Sequence, residues 1–295
     1  MNTINLEVIQ NIKNGDEKKS STKVLDFEMP ESWNELSADA VLYIAKSIDH
    51  WKASIKYNID LGKAKCLTLF AILGLTPEAL RDKNKKLLYD AILISDDEVR
   101  GQLMGALNFI FDEDAKIELT KNLFPELKVG ENTFVGPVDG LDNICFGEFV
   151  ACEQFYEAYT TTKNIEYLRM LVATLYRFAN TDFDPLAADT TGDERERFNT
   201  NNIKARTKLF MRCGIEYLKA VELFYVSCRN KIVDANPNIF EGGSGSDKSS
   251  WSAVLLNLAR VKGIDDELLE QKLFSTVLMD LEEIKKENAR QDGQA

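Results

Sequence analysis

The sequence is poor in histidine, the side chain that most often acts as the general base of a nucleophilic active site. Its 295 residues include one histidine, His50, so a Cys-His or Ser-His pair could be built only around that side chain. The spacing identifies no partner for His50, and a histidine beside Trp51 near a helix end is typical of a structural or solvated position. The sequence therefore predicts no catalytic residue of this kind.

The five cysteines lack the spacing of a metal site or a disulfide framework. Their number is odd, none forms a C-x-x-C pair, and no histidine lies nearby to complete a zinc site. Four of them interrupt apolar stretches of predicted helices, where a free thiol behaves as a small buried hydrophobe in a reducing compartment. We therefore expect no structural metal, no cofactor and a location in a cytoplasm. The cysteines are Cys66, Cys145, Cys152, Cys213 and Cys228.

Long hydrophobic runs are also missing. The strongest, CLTLFAILGL at 66–75, falls well short of the roughly 20 residues that a membrane-spanning helix needs. The amino terminus has acidic residues early and no uninterrupted apolar core, so it lacks the layout of a signal peptide. We expect no membrane partner.

An excess of positive charge is absent as well. The net charge is −12 and the pI is about 4.8, which repels phosphate backbones at long range and argues against a nucleic-acid partner. The basic run at Lys83, Lys85 and Lys86 is typical of a solvated helix start or loop. A hydrophobic fraction of 44% with 16 Phe and 9 Tyr supplies a sizeable core, so we expect a globular protein.

One segment resembles a phosphate-binding loop and departs from it at the decisive position. GGSGSDKS, from Gly242 to Ser249, has Asp247 where the G-x-x-x-x-G-K-[ST] pattern requires its second glycine. The aspartate would place negative charge next to phosphate, and no buried strand precedes the segment. We interpret it as a Gly/Ser linker, at 241–248, before a capped helix.

A long polar segment at 181–202 concentrates carboxylates, the ligands that calcium and magnesium prefer. Their spacing matches no established metal-binding loop, so we expect solvated negative charge and no specific metal site. A metal-dependent enzyme built on this acidic loop is the alternative hypothesis. The carboxylates are those of Asp182, Asp184, Asp189, Asp193, Glu194 and Glu196.

The apolar periodicity predicts a mainly α fold, a multi-helix bundle-like architecture with a few short β-strands. Its clearest element is a helical hairpin over 144–178, in which two apolar stripes at helical spacing flank the polar break at 160–163. The remaining C-terminal pattern predicts a long helix at 203–233, through Gly214, and a helix pair at 249–288.

The N-terminal part is predicted to contain a short helix near 4–12, a linker over 14–23 and a short strand at 25–29 that ends before Pro30. Ser37 is predicted to cap the next helix, Gly74 to end another, and Ser95 with Glu98 to form a capping box. Short strands are predicted at 117–124 and 132–136. We place domain boundaries so that 1–23 is an N-terminal segment, 24–130 an N-terminal helical domain and 131–295 a C-terminal helical domain.

Aromatic residues are frequent along the central hairpin and the C-terminal helices, which favours core packing and, secondarily, an interface. Phe155 lies off the main apolar stripe, so the hairpin is expected to be apolar on more than one side and to bind a partner. The predicted partner-binding residues are Phe149, Phe155, Tyr156, Tyr159 and Trp251.

Several landmarks along the chain carry a family resemblance. They are PESWNEL at 30–36, FVGPVDGLDNICFGEF at 134–149, LVATLYRF at 171–178, FYVSCRNKI at 224–232 and the helix pair that begins at Trp251. In these features the chain resembles uncharacterised virion-structure and tail-assembly proteins of Bacteroidota phages and prophages.

The resemblance implies a non-enzymatic phage protein that binds other structural proteins, as a tail-assembly chaperone or a head-to-tail connector component, in the host cytoplasm or in the virion. It transfers no functional residue. The alternatives are the acidic-loop metal enzyme and a helical scaffold unrelated to virions.

Overall fold

The computed structural model describes residues 1–14, 17–57, 60–112, 114–184, 193–240 and 251–292. Over these ranges the chain forms thirteen α-helices and two small two-stranded sheets, which confirms the mainly α prediction. The chain divides into two compact units, Met1–Glu118 and Leu119–Ala295. Residues 119–130, predicted to close the first domain, therefore belong to the second unit.

The first unit begins with a β-hairpin where the sequence predicted a helix at 4–12 and a linker at 14–23. Strand β1 (Asn2–Asn14) pairs antiparallel with β2 (Glu17–Met29) from Asn2↔Met29 to Asn14↔Glu17. The prediction was wrong because the alternation of Ile4, Leu6 and Val8 with polar residues has the period of a strand. The dipeptide Gly15-Asp16 in the sequence, typical of a two-residue hairpin turn, was the second signal missed.

Five helices follow in the first unit. The Ser37 hydroxyl accepts a hydrogen bond from the Ala40 N–H at 3.2 Å, as predicted, and Gly74 lies just beyond a helix end with φ of 60°. The predicted capping box is wrong by one residue, since Asp96 accepts from the Val99 N–H at 2.9 Å and Ser95 belongs to the preceding helix end. The helices are α1 (Ala38–Tyr57), α2 (Leu61–Ile72), α3 (Lys83–Ile94), α4 (Asp97–Gly105) and α5 (Asn108–Phe111).

The core of the first unit is apolar. Trp33 is buried and donates its Nε1–H to the Phe109 carbonyl at 3.2 Å, and the ring of Trp51 lies 5.1 Å from that of Phe111. The hairpin contributes Val8 and Leu25, which pack with Ala91 of α3.

The second unit begins with a small hairpin. Strand β3 (Glu126–Val129) pairs antiparallel with β4 (Asn132–Val135). The strand predicted at 132–136 is thus confirmed, whereas 117–124 forms no strand. That segment instead supplies Asn122, whose buried amide nitrogen donates to the Pro137 carbonyl and whose Oδ1 lies 3.2 Å from the Tyr176 hydroxyl.

The predicted helical hairpin is confirmed as α6 (Phe146–Thr162) packed against α7 (Ile165–Leu175). Lys163 ends α6 in the left-handed region, at φ of 55°, and its N–H donates to the Tyr159 carbonyl at 2.7 Å. Asn164 then caps α7 by accepting from the Glu166 N–H at 3.0 Å. Two residues therefore reverse the chain.

The predicted long helix is two helices. Helix α8 (Thr200–Leu209) ends in a 3₁₀ turn (Phe210–Arg212), and α9 (Ile215–Ala235) starts after Gly214, which has an extended ψ of 144°. A Cβ at Gly214 would meet the carboxylate end of the flexible Glu216 side chain, so the helix boundary follows from the extended backbone of Gly214 and not from a lack of space. Gly214 is therefore a boundary and not a tolerated interior residue.

Four helices complete the described part of the second unit, and three of them begin within 249–288, where the sequence predicted a pair. Phe146 and Phe149 of α6 stack on Phe274, with ring centroids 5.9 and 3.9 Å apart, and Trp251 meets all three rings edge to face. The predicted linker at 241–248 lies outside the described residues. The helices are α10 (Pro237–Phe240), α11 (Trp251–Lys262), α12 (Asp266–Glu270) and α13 (Phe274–Asp292).

Candidate functional site

Isolated β-bridges place two arginines beside α6 in the second unit. Val135 bridges Arg177, and Ala179 bridges Arg195, both antiparallel. The segment that leaves α7 is thus held between β4 and residues 194–196, with backbone hydrogen bonds of 2.7–3.0 Å on its two sides. Alternate residues of an extended segment face opposite sides. The bridges therefore determine the side of the segment on which each arginine side chain lies.

The two guanidinium groups meet on Glu148 of α6, which has no exposed surface. Arg195 Nη1 donates to Glu148 Oε1 at 2.7 Å, and Arg177 Nη2 donates to Glu148 Oε2 at 3.0 Å. Both arginines are also almost fully buried. A buried carboxylate is stable only if it is paired and hydrogen-bonded, so Glu148 depends on both partners.

Asp193 completes the cluster from the acidic segment. Its carboxylate accepts from Arg195 Nε at 2.7 Å and from Arg177 Nη2 at 2.8 Å. Glu196 pairs with Arg206 of α8, whose Nε donates to the Ala173 carbonyl at 2.6 Å. We call these six residues the buried ion network: Glu148, Arg177, Asp193, Arg195, Glu196 and Arg206.

The network is electrically balanced, with three carboxylates and three guanidiniums. Burial by itself lowers the pKa of Arg195, but the charges of Glu148 and Asp193 outweigh it and raise that pKa above its ordinary value. Burial lowers the pKa of Arg206, against the opposing effect of Glu196. A guanidinium keeps its proton at any physiological pH, so this arrangement holds chain segments together and is ill suited to proton transfer.

Two cavities flank the segment that carries Asp193 and Arg195. One, of about 530 Å³, is lined by residues 135–139 and by Asn122 and Asn143. The other, of about 470 Å³, is lined by Arg177, Phe183 and Phe198 among others. Both have the size of a small-molecule site, but the charged groups on their shared wall already pair with one another. Arg177 Nε and Arg206 Nη2 are buried without an acceptor among the described residues.

The thiols offer no activated nucleophile. Burial raises the pKa of Cys145 and of Cys228 to about 12 and that of Cys213 to about 11. It also raises the pKa of Cys66 and, well above the ordinary value, that of Cys152. A reactive cysteine needs a lowered pKa, and all five are displaced in the opposite direction.

The predicted partner-binding aromatics occupy different environments. Phe149 and Tyr159 are buried within the second unit, so they stabilise its core and do not form its surface. Phe155 is partly buried against a cluster that includes Ala151 and Phe198. Tyr156 and Trp251 are partly buried, with Tyr156 5.9 Å from the Tyr225 ring. Three of the five residues therefore retain some exposed surface.

The acidic segment is less solvated than predicted. Asp193 and Glu196 belong to the ion network, and residues 200–202 are the first turn of α8. Asp182 and Asp184 line the smaller cavity, whereas Asp189 lies outside the described residues. In the described ranges, no three His, Cys, Asp or Glu side chains gather as metal ligands would. The backbone of His50 lies in α1, but its side chain is outside the described set.

Sequence reasoning missed the ion network, although a signal was present. Glu148 interrupts the apolar run FGEFVAC, and Arg177 follows LVATLY directly. Charged residues are rarely buried unless they are paired, so a lone charge inside each of two apolar runs predicts that they meet. Arg195 had no such flanking signal, since its neighbours in the sequence are polar.

The chain was compared with protein-family models, with curated proteins and with solved structures, and none of them matches it. Among the described residues, no helix has both the length and the apolar content required to cross a bilayer.

Proposed function

We propose that this chain is a non-catalytic protein-binding component of phage assembly, acting as a tail-assembly chaperone or a head-to-tail connector component. The observation that carries the binding role is the exposure of large apolar side chains on α11 and α13. Val261 is 69% exposed and Met279 71%, and Leu256 is exposed as well. The virion setting rests on the sequence resemblance described above.

An ion pair joins the two helices that carry these exposed apolar residues. Lys262 Nζ lies 2.6 Å from Asp280 Oδ1, so the end of α11 is tied to α13 one residue away from Val261 and from Met279. Apolar surface on rigid helices loses little conformational entropy when a partner covers it. Such a surface suits an amphipathic or apolar segment of another structural protein.

The state of the ionisable groups supports a non-catalytic role. The buried carboxylates of the ion network are occupied by guanidinium groups, and each of the five thiols has a raised pKa. General acid-base and nucleophilic catalysis both need groups poised to exchange a proton or to attack near neutral pH.

Co-expression with the proteins encoded beside its gene tests the proposal. The wild-type chain is expected to co-purify with at least one of them or to raise its soluble yield. Val261→Asp/Met279→Asp is expected to reduce that effect, because a partner would have to bury two carboxylates. Thr133→Asp/Thr161→Asp, which adds two carboxylates at exposed polar positions outside α11 and α13, is the matched control and should behave as wild type.

Two outcomes would overturn the proposal. One is the absence of any effect on the neighbouring proteins. The other is calorimetric binding of magnesium, manganese or calcium that Asp182→Asn/Asp184→Asn abolishes, since this would favour the acidic-loop metal enzyme.

A further inference from the structure

Positive charge is concentrated in one short part of this acidic chain. From Arg197 to Ile215 the sequence contains five basic residues and no acidic one. Arg206 is buried in the ion network, while the other four are exposed. The segment covers α8, the following 3₁₀ turn and the start of α9. The basic residues are Arg197, Lys204, Arg206, Lys208 and Arg212.

Part of this segment combines exposed basic side chains with exposed apolar ones. Lys204 and Lys208 lie one turn apart on the exposed side of α8. Beyond them Met211 is 62% exposed and Ile215 is exposed too, and Arg212 lies between the two. In the part of the chain that the structure describes, none of the three basic side chains has an ion-pair or hydrogen-bond partner. We call these five residues the basic stripe.

A second surface of the same unit has the complementary chemistry. Asp265, Asp266 and Glu267 are exposed at the start of α12, and the next residue, Leu268, is 61% exposed. Across the described ranges no basic group pairs with these three carboxylates. We call these four residues the acidic ridge.

Among the described residues the negative charge of the acidic ridge has no basic partner, and it affects the pKa of the neighbouring Glu270. Burial, followed by the charges of Asp266 and Glu267, raises the pKa of Glu270. A cationic surface placed against the ridge would relieve this repulsion. The basic stripe could supply it, together with Met211 to cover Leu268.

We infer that the acidic ridge of one copy of this chain binds the basic stripe of a second copy. The two surfaces make no ion pair with each other within one chain, so both remain free for a contact between chains. A nucleic acid is the less favoured occupant of the stripe, because the chain as a whole carries −12 and because Met211 and Ile215 have no counterpart on a phosphate backbone. Since the two surfaces differ, the contact is heterologous.

Charge reversal of each surface tests this inference on the purified chain alone. Light scattering across a concentration series is expected to show self-association of the wild type that weakens with salt. Lys204→Glu/Lys208→Glu should weaken it by about tenfold or more, because the reversed stripe repels the ridge. Asp266→Lys/Glu267→Lys should do the same. Asp265 is left intact because it caps α12.

Mixing the two variants gives the decisive measurement. Each variant alone is expected to self-associate more weakly than wild type by about tenfold or more. The reversed stripe of one is nevertheless complementary to the reversed ridge of the other, and their wild-type surfaces also match. The mixture should therefore associate about as well as wild type. Lys128→Glu/Lys231→Glu, two exposed lysines outside the stripe, controls for the change in net charge, and circular dichroism confirms that each variant folds.

A wild type that stays monomeric, or variants that associate as wild type does, would overturn the inference. So would a stripe variant that loses affinity for an oligonucleotide while its self-association is unchanged, since the stripe would then be a nucleic-acid site. No neighbouring phage protein enters the experiment, so its result is independent of the proposed assembly function.

Discussion

The two units of this chain build their cores from different interactions. Among the described residues of Met1–Glu118, a single polar side chain is buried and no charged one is. It is Thr68, whose hydroxyl donates to the Ala64 carbonyl within its own helix. In Leu119–Ala295 the core contains Glu148, Arg177 and Arg195, linked by hydrogen bonds of 2.7–3.2 Å. One core is thus held by apolar packing, and the other depends in addition on charge pairing.

The two kinds of core differ in how their stability responds to substitutions. Apolar packing is non-directional and tolerates substitutions that conserve volume. Buried ion pairs add little net stability, because desolvation offsets their attraction, but removal of one member leaves a buried charge unpaired. The ion pairs hold residues 193–197 of the second unit in a single register. They also make the stability of that unit depend on individual charged side chains, which the first unit does not need.

The largest effect is expected from Glu148→Gln. The substitution conserves shape but leaves Arg177 and Arg195 to share the Asp193 carboxylate, so the free energy of unfolding of the second unit should fall by about 3–5 kcal/mol. Hydrogen exchange resolved by peptides from 119–295 measures it. Glu166→Gln, in the partly exposed pair with Arg169 at 3.2 Å, is the control, with an expected loss below about 1 kcal/mol. If the two variants lost the same free energy of unfolding, the buried ion network would contribute no more to stability than a partly exposed ion pair.

In the apolar unit the corresponding test is Ile44→Ala. Ile44 is fully buried, and its truncation should cost about 2–5 kcal/mol through lost transfer energy and the cavity that remains. Exchange of peptides from 1–118 reports the change. Ile44→Val, which removes one methylene, should cost about 0.5–1.5 kcal/mol. A first unit insensitive to both would contradict a core held by packing.

Alkaline pH should separate the two units further. The native thiols Cys145 and Cys228 keep their protons up to a pKa of about 12, whereas in the unfolded chain they lose them near 9.0. The native state therefore binds more protons in this window, so the contribution of these thiols to the stability of the second unit is fully present below pH 9 and is lost as pH rises to about 12. Each thiol contributes at most about 1.4 kcal/mol per pH unit.

The variant Cys145→Ala/Cys152→Ala/Cys228→Ala tests that origin. Its free energy of unfolding should fall less steeply with pH between 9 and 12 than that of wild type, whatever its stability at neutral pH. Buried tyrosines such as Tyr176, whose pKa burial also raises, leave part of the slope. Identical slopes for the two proteins would exclude the thiols as its source.

The sequence was most predictive where one element buries a repeating apolar stripe. The hairpin of α6 and α7 follows from the spacing of residues such as Leu168, Leu171 and Leu175, and a polar break separates the two stripes. Ser37 and Gly74 were also predictable, because caps and left-handed glycines act through their immediate neighbours.

The failures have two physical causes. At the N-terminus the alternation of Ile4, Leu6 and Val8 has the period of a strand. The polar residues that follow have the composition of a linker, and this second pattern led to the wrong prediction. In the ion network, Glu148 and Arg195 are 47 residues apart, and their contact depends on β-bridges that no local pattern encodes. Long-range pairing of this kind decides the candidate site, so the sequence alone could not assemble it.

A smaller loss is expected from Tyr176→Phe in the second unit. The Tyr176 hydroxyl donates to the Phe124 carbonyl at 2.8 Å and lies 3.2 Å from Asn122 Oδ1. Without it the buried acceptors lose a donor, at a cost of about 1–2 kcal/mol. Thermal unfolding measures the change. Tyr43→Phe in the first unit is the control, and a comparable loss there would indicate that the hydroxyl contacts of Tyr176 contribute nothing particular.

The smallest effect should have the opposite sign. Lys163 ends α6 with φ of 55°, a conformation that costs an L-residue roughly 1 kcal/mol and glycine almost nothing. Lys163→Gly should therefore raise the free energy of unfolding of the second unit by about 0.5–1 kcal/mol, less whatever the Lys163 Nζ gains 5.7 Å from the centre of the Tyr159 ring. Lys163→Ala, which loses the same ammonium but keeps a Cβ, isolates that contribution and should be neutral or slightly destabilising. If glycine and alanine gave the same stability, the backbone at this turn would be unstrained, and the hairpin would be held by its apolar stripes alone.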